Sequence, residues 1–240
     1  MRTPLLVAIA LVLSLPAPSD AQAPRLQWND CGDGGALDNA FSCSNNSALH
    51  FLVSSFVAPI PMTHFIGSTT EIILASDVAG MPSWWRMDES GCRAGALSSE
   101  DPLALGTYSC ANPFAGSMNL GLSHFEANYG GDPHRAKIIV DLARSDAGVP
   151  LVPGTEYLAN VIQIRSTKTT GAGACEGCSQ TVCLELERVI VAEPQLSIEL
   201  RPNGISWPSG VSWHDSQGAT CFSVIPTRKA TWGGIKSLYR

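Results

Sequence analysis

Apolar positions in this chain come in short bursts, bounded by Gly, Pro, Asn or Ser, and seldom recur at the spacing of helical turns. That pattern predicts strands. Ala48–Val57, Thr70–Ser76, Ala136–Ala143, Glu156–Arg165, Val182–Ala192, Gln195–Leu200, Gly210–His214 and Thr220–Ile225 are the predicted set. In Glu156–Arg165 a period of two puts Tyr157, Ala159 and Val161 on one face and Leu158, Ile162 and Ile164 on the other, so a strand covered on both sides is expected. Val182–Ala192 starts with Leu184 and Leu186 opposite Glu185 and Glu187, and its Val and Ile content beside Pro194 favours strand over helix. Residues 78–118 form a long irregular excursion between strands. Many short strands separated by turn residues predict an all-β fold, a single β-sandwich of immunoglobulin-like or jelly-roll-like type with long disulfide-braced loops.

The first 21 residues stand apart. Leu5–Leu15 is apolar but too short to span a bilayer, Arg2 precedes it, and Ser19-Asp20-Ala21 supplies small residues at a cleavage site. Residues 1–21 are therefore expected to be a signal peptide, with Gln22 as the mature start. Residues 22–240 would form the single domain, with a basic C-terminal tail at 226–240. No later apolar run is long enough for a transmembrane anchor, so a secreted or periplasmic location is expected.

Composition narrows the classes further. Only 15% of the 240 residues are charged, against about 25% in an ordinary domain. A coiled coil, a charged disordered tail and a basic nucleic-acid binder all need more. The formal net charge is −6. Ser216–Arg240 holds no acidic residue but carries Arg228, Lys229, Lys236 and Arg240, so the rest of the chain is more acidic than the total suggests. Such asymmetry suits docking on an acidic surface.

All eight cysteines, Cys31, Cys43, Cys92, Cys110, Cys175, Cys178, Cys183 and Cys221, lie after the leader, and an even count in an exported chain favours disulfides. Spacing favours Cys31 with Cys43 and Cys92 with Cys110, each closing a turn-rich loop. That leaves one short bridge within 175–183 and one long bridge to Cys221. The alternative, zinc or an iron–sulfur cluster on Cys175, Cys178, Cys183 and Cys221, conflicts with export through an oxidising compartment.

Candidate chemistry is sparse. G-x-S-x-G, H-E-x-x-H and G-x-G-x-x-G are all missing. His124 and Glu126, and again Asp132 and His134, are spaced to face one way on a strand. A tight hairpin at Gly130-Gly131 would make the four a metal site for a hydrolase. The oxygen-rich run of Asp30, Asp33, Asp38 and Asn39 lacks the spacing of a calcium loop. Trp84 and Trp85 are candidates for sugar stacking, with Trp28, Trp207 and Trp213 as possible members of the platform. Adjacent residues of an extended chain face opposite ways, so one of the pair would be exposed at most. No cofactor is expected.

Four segments, WNDCG (Trp28–Gly32), PSWWRMDESGCRAGALS (Pro82–Ser98), CEGCSQTVCLELERV (Cys175–Val189) and TWGGIKSLYR (Thr231–Arg240), together resemble a group of secreted bacterial proteins with no assigned activity. The resemblance implies a secreted, cysteine-bearing, β-rich protein whose tail is a sorting or docking signal. It transfers no catalytic residue. The function expected is that of an exported, non-enzymatic structural or interaction protein of the bacterial envelope or exterior, its partner an envelope protein or polysaccharide. The alternatives are a carbohydrate- or ligand-binding module using Trp84 or Trp85 and, third, the metal-dependent hydrolase.

Overall fold

The computed structural model describes residues 23–214 apart from 77, 79, 103–105, 118 and 203–208. In chain order its strands are β1 (Arg25–Trp28), β2 (Asp38–Asn39), β3 (Leu49–Val57), β4 (Met62–Phe65), β5 (Gly67–Ser76), β6 (Leu97–Glu100) and β7 (Asn119–Ala127). Then follow β8 (Arg135–Arg144), β9 (Val149–Leu151), β10 (Glu156–Arg165), β11 (Val182–Glu193), β12 (Leu196–Leu200) and β13 (Gly210–Trp213). The only helical segments among these residues are short 3₁₀ turns such as Ser83–Trp85. None is long and apolar enough to cross a membrane.

The strands form an all-β sandwich. One sheet has the order β1-β3-β10-β6, and the larger has the order β2-β13-β11-β5-β8-β7, with β12 also pairing β11. A small third sheet joins β4 to β9. Leu26, Leu52, Phe56, Ile162 and Ile164 from the first sheet share one core with Ile72, Leu74, Ile138, Val140, Leu184 and Val211 from the second. Trp28 ties the layers together, its Nε1 donating to the Ser212 carbonyl at 2.9 Å. At the open corner β7 runs beside β6 without a ladder. Gly121 allows this approach, because a Cβ there would stand 2.5 Å from the Ser99 hydroxyl.

Two bulges reset the side-chain phase. In β10 the register shifts between Leu158 and Asn160. Tyr157, Ala159, Ile162 and Ile164 therefore face the shared core, while Leu158 and Val161 face a second cluster with Cys31, Val53 and Cys110 on the other side of the sheet. The strand is covered on both faces, as its composition predicts, but Val161 and Leu158 share a face that strict alternation denies them. The extra residue turns Asn160 inward, where its Nδ2 donates to Thr70 Oγ1 at 2.8 Å and Ser54 Oγ bonds the same hydroxyl at 2.9 Å. This buried polar cluster spans the two sheets. In β11 the shift falls between Leu186 and Arg188. Leu184 and Leu186 point inward before it and Val189 and Val191 after it, which leaves Glu187 and Arg188 adjacent on the outer face.

The disulfides overturn the short-loop pairing. Cys31 joins Cys110, Cys43 joins Cys178, and Cys92 joins Cys175. The sequence separations are 79, 135 and 83 residues. Neither Cys31–Cys43 nor Cys92–Cys110 exists, nor does a short bridge within 175–183. Each bridge instead pins a loop to a distant loop, because a disulfide needs Cα atoms about 6 Å apart in space, whatever their spacing in sequence. Cys183 is also disulfide-bonded. Cys221, Trp207, the strand expected at 220–225 and the basic tail at 226–240 lie outside the described residues.

Candidate functional site

The four residues of the expected metal site are not brought together. His124 and Glu126 lie exposed on β7, paired with Ile139 and Lys137 of β8. That register places the turn around Gly131 and Asp132, so His134 lies near it and His124 some five residues along the strand, roughly 17 Å away at 3.3 Å per residue. Asp132 accepts the His134 backbone N–H at 2.9 Å, a local turn contact. The tight turn assumed at Gly130-Gly131 is in fact a wider connection containing the 3₁₀ turn Tyr129–Gly131.

Trp84 and Trp85 are both fully buried, which removes the exposed stacking face. They sit on the 3₁₀ turn Ser83–Trp85, where helical turning, unlike an extended chain, lets neighbours enter one core. Trp213 is the hub. Its ring stacks on Trp84 at 4.9 Å and meets Trp85 edge-on at 5.4 Å, with Trp28 at 5.9 Å. The Arg93 guanidinium lies 3.5 Å from the Trp84 ring centre and donates to the Trp84 and Arg165 carbonyls. These rings are core, and three of their N–H groups are satisfied: Trp28 by Ser212 O, Trp84 by Thr169 Oγ1 and Trp213 by Cys178 O.

Beside the rings lies an arrangement that the sequence hides. His50 Nε2 is 2.8 Å from Ser166 Oγ, and His50 Nδ1 is 3.2 Å from Asn39 Nδ2. Hydroxyl, imidazole and amide in a row have the connectivity of a nucleophile, base and orienting group. The polarity and the access are wrong for that role. With the Asn39 amide donating to Nδ1, the ring proton sits on Nε2 and Ser166 accepts it, so the imidazole has no lone pair for the serine proton. Ser166 is fully buried, and Phe41 and Trp213 meet the His50 ring edge-on at 4.7 and 4.8 Å. Burial, aided by the charge of Arg93, holds the imidazole down at about 4.

A neutral imidazole in the core links folding to protons. An unfolded His takes up its proton near pH 6.5, whereas the folded one resists until about 4. Stability is therefore full above pH 6.5 and falls as the pH drops through 4, a loss of about 3 kcal/mol at 1.36 kcal/mol per unit. Urea unfolding between pH 7 and 3.5 is expected to show this slope. A His50→Gln variant should lack it, leaving only the carboxylate contribution at the acid end.

The outer face of the larger sheet carries the other concentration of polar groups. Glu187, Lys137, Glu71, Arg188, Glu199 and Arg201 form a chain of ion pairs of alternating sign across β11, β8, β5 and β12. Burial pushes the Glu71 carboxyl up, but the hydrogen bonds and charges of Arg188 and Lys137 outweigh it and hold the group below its ordinary value. The β11 bulge makes the chain possible by putting Glu187 and Arg188 on one face. Next to it lies a groove of about 330 Å³ lined by Ile73, Arg135, Glu185, Glu187, Arg201 and Pro202 among others. Glu185 is half-buried there, and burial raises its carboxyl above the ordinary value.

Glu71 and Lys137, each abutting an apolar run, Ile72–Leu74 in β5 and Ile138–Val140 in β8, were the available signal for this network, since a charge in a covered stretch of strand needs a partner. The Ser166–His50–Asn39 row had no comparable signal, because its members are far apart in sequence and common in turns. No protein-family model, curated protein or solved structure matches the chain.

Proposed function

We propose that this chain is an exported, non-enzymatic structural or interaction protein of the bacterial envelope or exterior. The observation that carries the reading is the set of three disulfides across separations of 79 to 135 residues. Bridges of that reach brace a scaffold and are characteristic of exported proteins, which fold in an oxidising compartment. The placement of reactive groups agrees with a scaffold role. The serine that has a histidine partner is sealed in the core, and the charges of the outer face are largely spent on one another. The test is expression of the full chain in a bacterial host with its first 21 residues intact. A mature N-terminus at Gln22 in the periplasm or medium, with no titratable thiol before reductant, is expected. A cytoplasmic protein with free thiols overturns the export reading, and a hydrolytic activity abolished by Ser166→Ala overturns the non-enzymatic one.

A second reading, binding of a polysaccharide or other polar ligand, is favoured by the groove beside the ion-pair chain rather than by Trp84 or Trp85. Its carboxylates and guanidinium groups, beside the apolar Ile73, Leu186 and Pro202, supply the donors, acceptors and apolar contact that a polyhydroxylated ligand needs. Calorimetric titration with envelope polysaccharides, comparing the native protein with Glu185→Gln, distinguishes the two readings. Heat that vanishes in the variant supports the groove, and the absence of heat leaves the scaffold reading.

A further inference from the structure

We propose that Cys43, Cys178 and His214 form a redox-gated site for a thiophilic d¹⁰ cation, taken here as Zn(II): closed while the disulfide stands and formed when that one bond is reduced. The ligand-bearing atoms of these three residues all lie within 4.8 Å of one another. His214 Nε2 stands 3.6 Å from Cys43 Sγ. Tetrahedral zinc, with bonds of about 2.3 Å to sulfur and 2.0–2.1 Å to nitrogen, holds its ligand atoms roughly 3.5–3.8 Å apart. The nitrogen–sulfur edge of such a site is therefore already in place, and the two sulfurs have only to part once their bond is broken.

The surroundings hold the histidine in a ligand's posture. The Phe41 backbone makes a hydrogen bond to the ring. With Nε2 turned to sulfur, that bond belongs to Nδ1, the second-shell arrangement that fixes a metal-ligating imidazole. His214 is anchored at both backbone ends, its N–H donating to the Asn39 carbonyl at 3.2 Å and its carbonyl accepting from Thr181 Oγ1 at 3.1 Å. Cys178 is fixed from the other side, since its carbonyl accepts from the Trp213 indole at 2.6 Å. Asp38 is the charged group whose influence reaches the ring.

This bridge is also placed to open before the one at Cys31. Cys31 and Cys110 are both buried, whereas Cys43, like Cys92, is partly exposed, and Cys43 is the bridged cysteine among the described residues that occupies the left-handed region, at φ 54°, an uncommon conformation for a residue with a side chain. An external thiol is the reductant. Two equivalents of it give up two electrons and two protons and leave joined as a disulfide, while Cys43 and Cys178 each gain one electron and one proton. Zinc then displaces both thiol protons, the neutral His214 adds its Nε2 lone pair, and the fourth position is left to solvent.

The test uses the full mature protein. It is partly reduced with a water-soluble phosphine, which itself becomes the phosphine oxide, and the reduced cysteines are assigned by alkylation and peptide mass spectrometry. Zinc is then measured against a chromophoric chelator. The expected result is that Cys43 and Cys178 are freed before Cys31 and Cys110. The two-thiol form should bind one zinc ion, the oxidised protein none, and His214→Ala should bind at least tenfold more weakly. A paired Cys43→Ser, Cys178→Ser variant given the same treatment should bind none. Undiminished binding in either variant overturns the proposal. So does a two-thiol form that takes up no zinc or loses its native tryptophan fluorescence, and so does reduction of Cys31–Cys110 first.

Discussion

Replacing Cys43 and Cys178 together by serine is expected to lower the free energy of unfolding by about 4 kcal/mol. With Cys92–Cys175 in place, the loop this bridge closes runs from Cys43 to Cys92 and from Cys175 to Cys178, roughly 50 residues, for which the chain-entropy relation gives that figure. The loss arises mostly in the unfolded chain, which regains the freedom the bridge removes. A domain stable by roughly 5–15 kcal/mol tolerates that only narrowly. In the folded state the bridge anchors the loop before β11 to the segment between β2 and β3. Cys175, three residues away, is held to Cys92 instead. With that bridge and Cys31–Cys110 intact, the variant should still unfold cooperatively in urea, at a much lower midpoint. A midpoint shift equivalent to less than about 2 kcal/mol would mean that the unfolded chain is confined there by more than the neighbouring bridge.

Trp213→Ala is expected to cost about 4–5 kcal/mol. Truncating a buried tryptophan typically costs about 3–5 kcal/mol through lost transfer energy and the cavity left behind. Here the indole touches Trp28, Trp84, Trp85, Phe41 and His50, so the cavity would open at the centre of a packed aromatic cluster with little freedom to collapse. Its N–H also satisfies the Cys178 carbonyl, and an orphaned buried acceptor adds roughly 1–3 kcal/mol where water does not reach it. Trp213→Phe separates the two contributions, keeping much of the ring contact and losing the hydrogen bond. Urea unfolding followed by far-ultraviolet circular dichroism reads both, since the substitution itself alters tryptophan fluorescence. Equal costs for the two variants would assign the effect to the hydrogen bond alone.

The strands were legible where composition was decisive. Glu156–Arg165 is β10 to the residue, and the expected runs at 48–57, 136–143 and 182–192 match β3, β8 and β11 to within one or two positions. Strand β7 was less legible. Its sequence, NLGLSHFEA, leaves Leu120 and Leu122 exposed and contains a glycine, so it lacks the alternation of a half-buried strand. It forms because β8 offers a ladder along its whole length and because Gly121 lets β6 approach. The expected hairpin site failed for a related reason. The spacing of His124, Glu126, Asp132 and His134 describes which way side chains face, but convergence depends on where the turn lies, and the register puts it too far from His124.

By itself the sequence determined the class of the molecule: a weakly charged chain of short β runs and turn residues, with cysteines in even number, builds a disulfide-braced all-β fold. Local propensity and patterning suffice for that, because each strand carries its own alternation and each turn its own residues. Which cysteines meet, on which side of its bulge each residue of β10 and β11 falls, and whether a tryptophan faces solvent or core were decided by the tertiary structure alone. These are questions of distance between segments far apart in the chain. Two sheets closing on one core set those distances, with bulges at β10 and β11 that turn Asn160 inward and bring Glu187 and Arg188 to the same face.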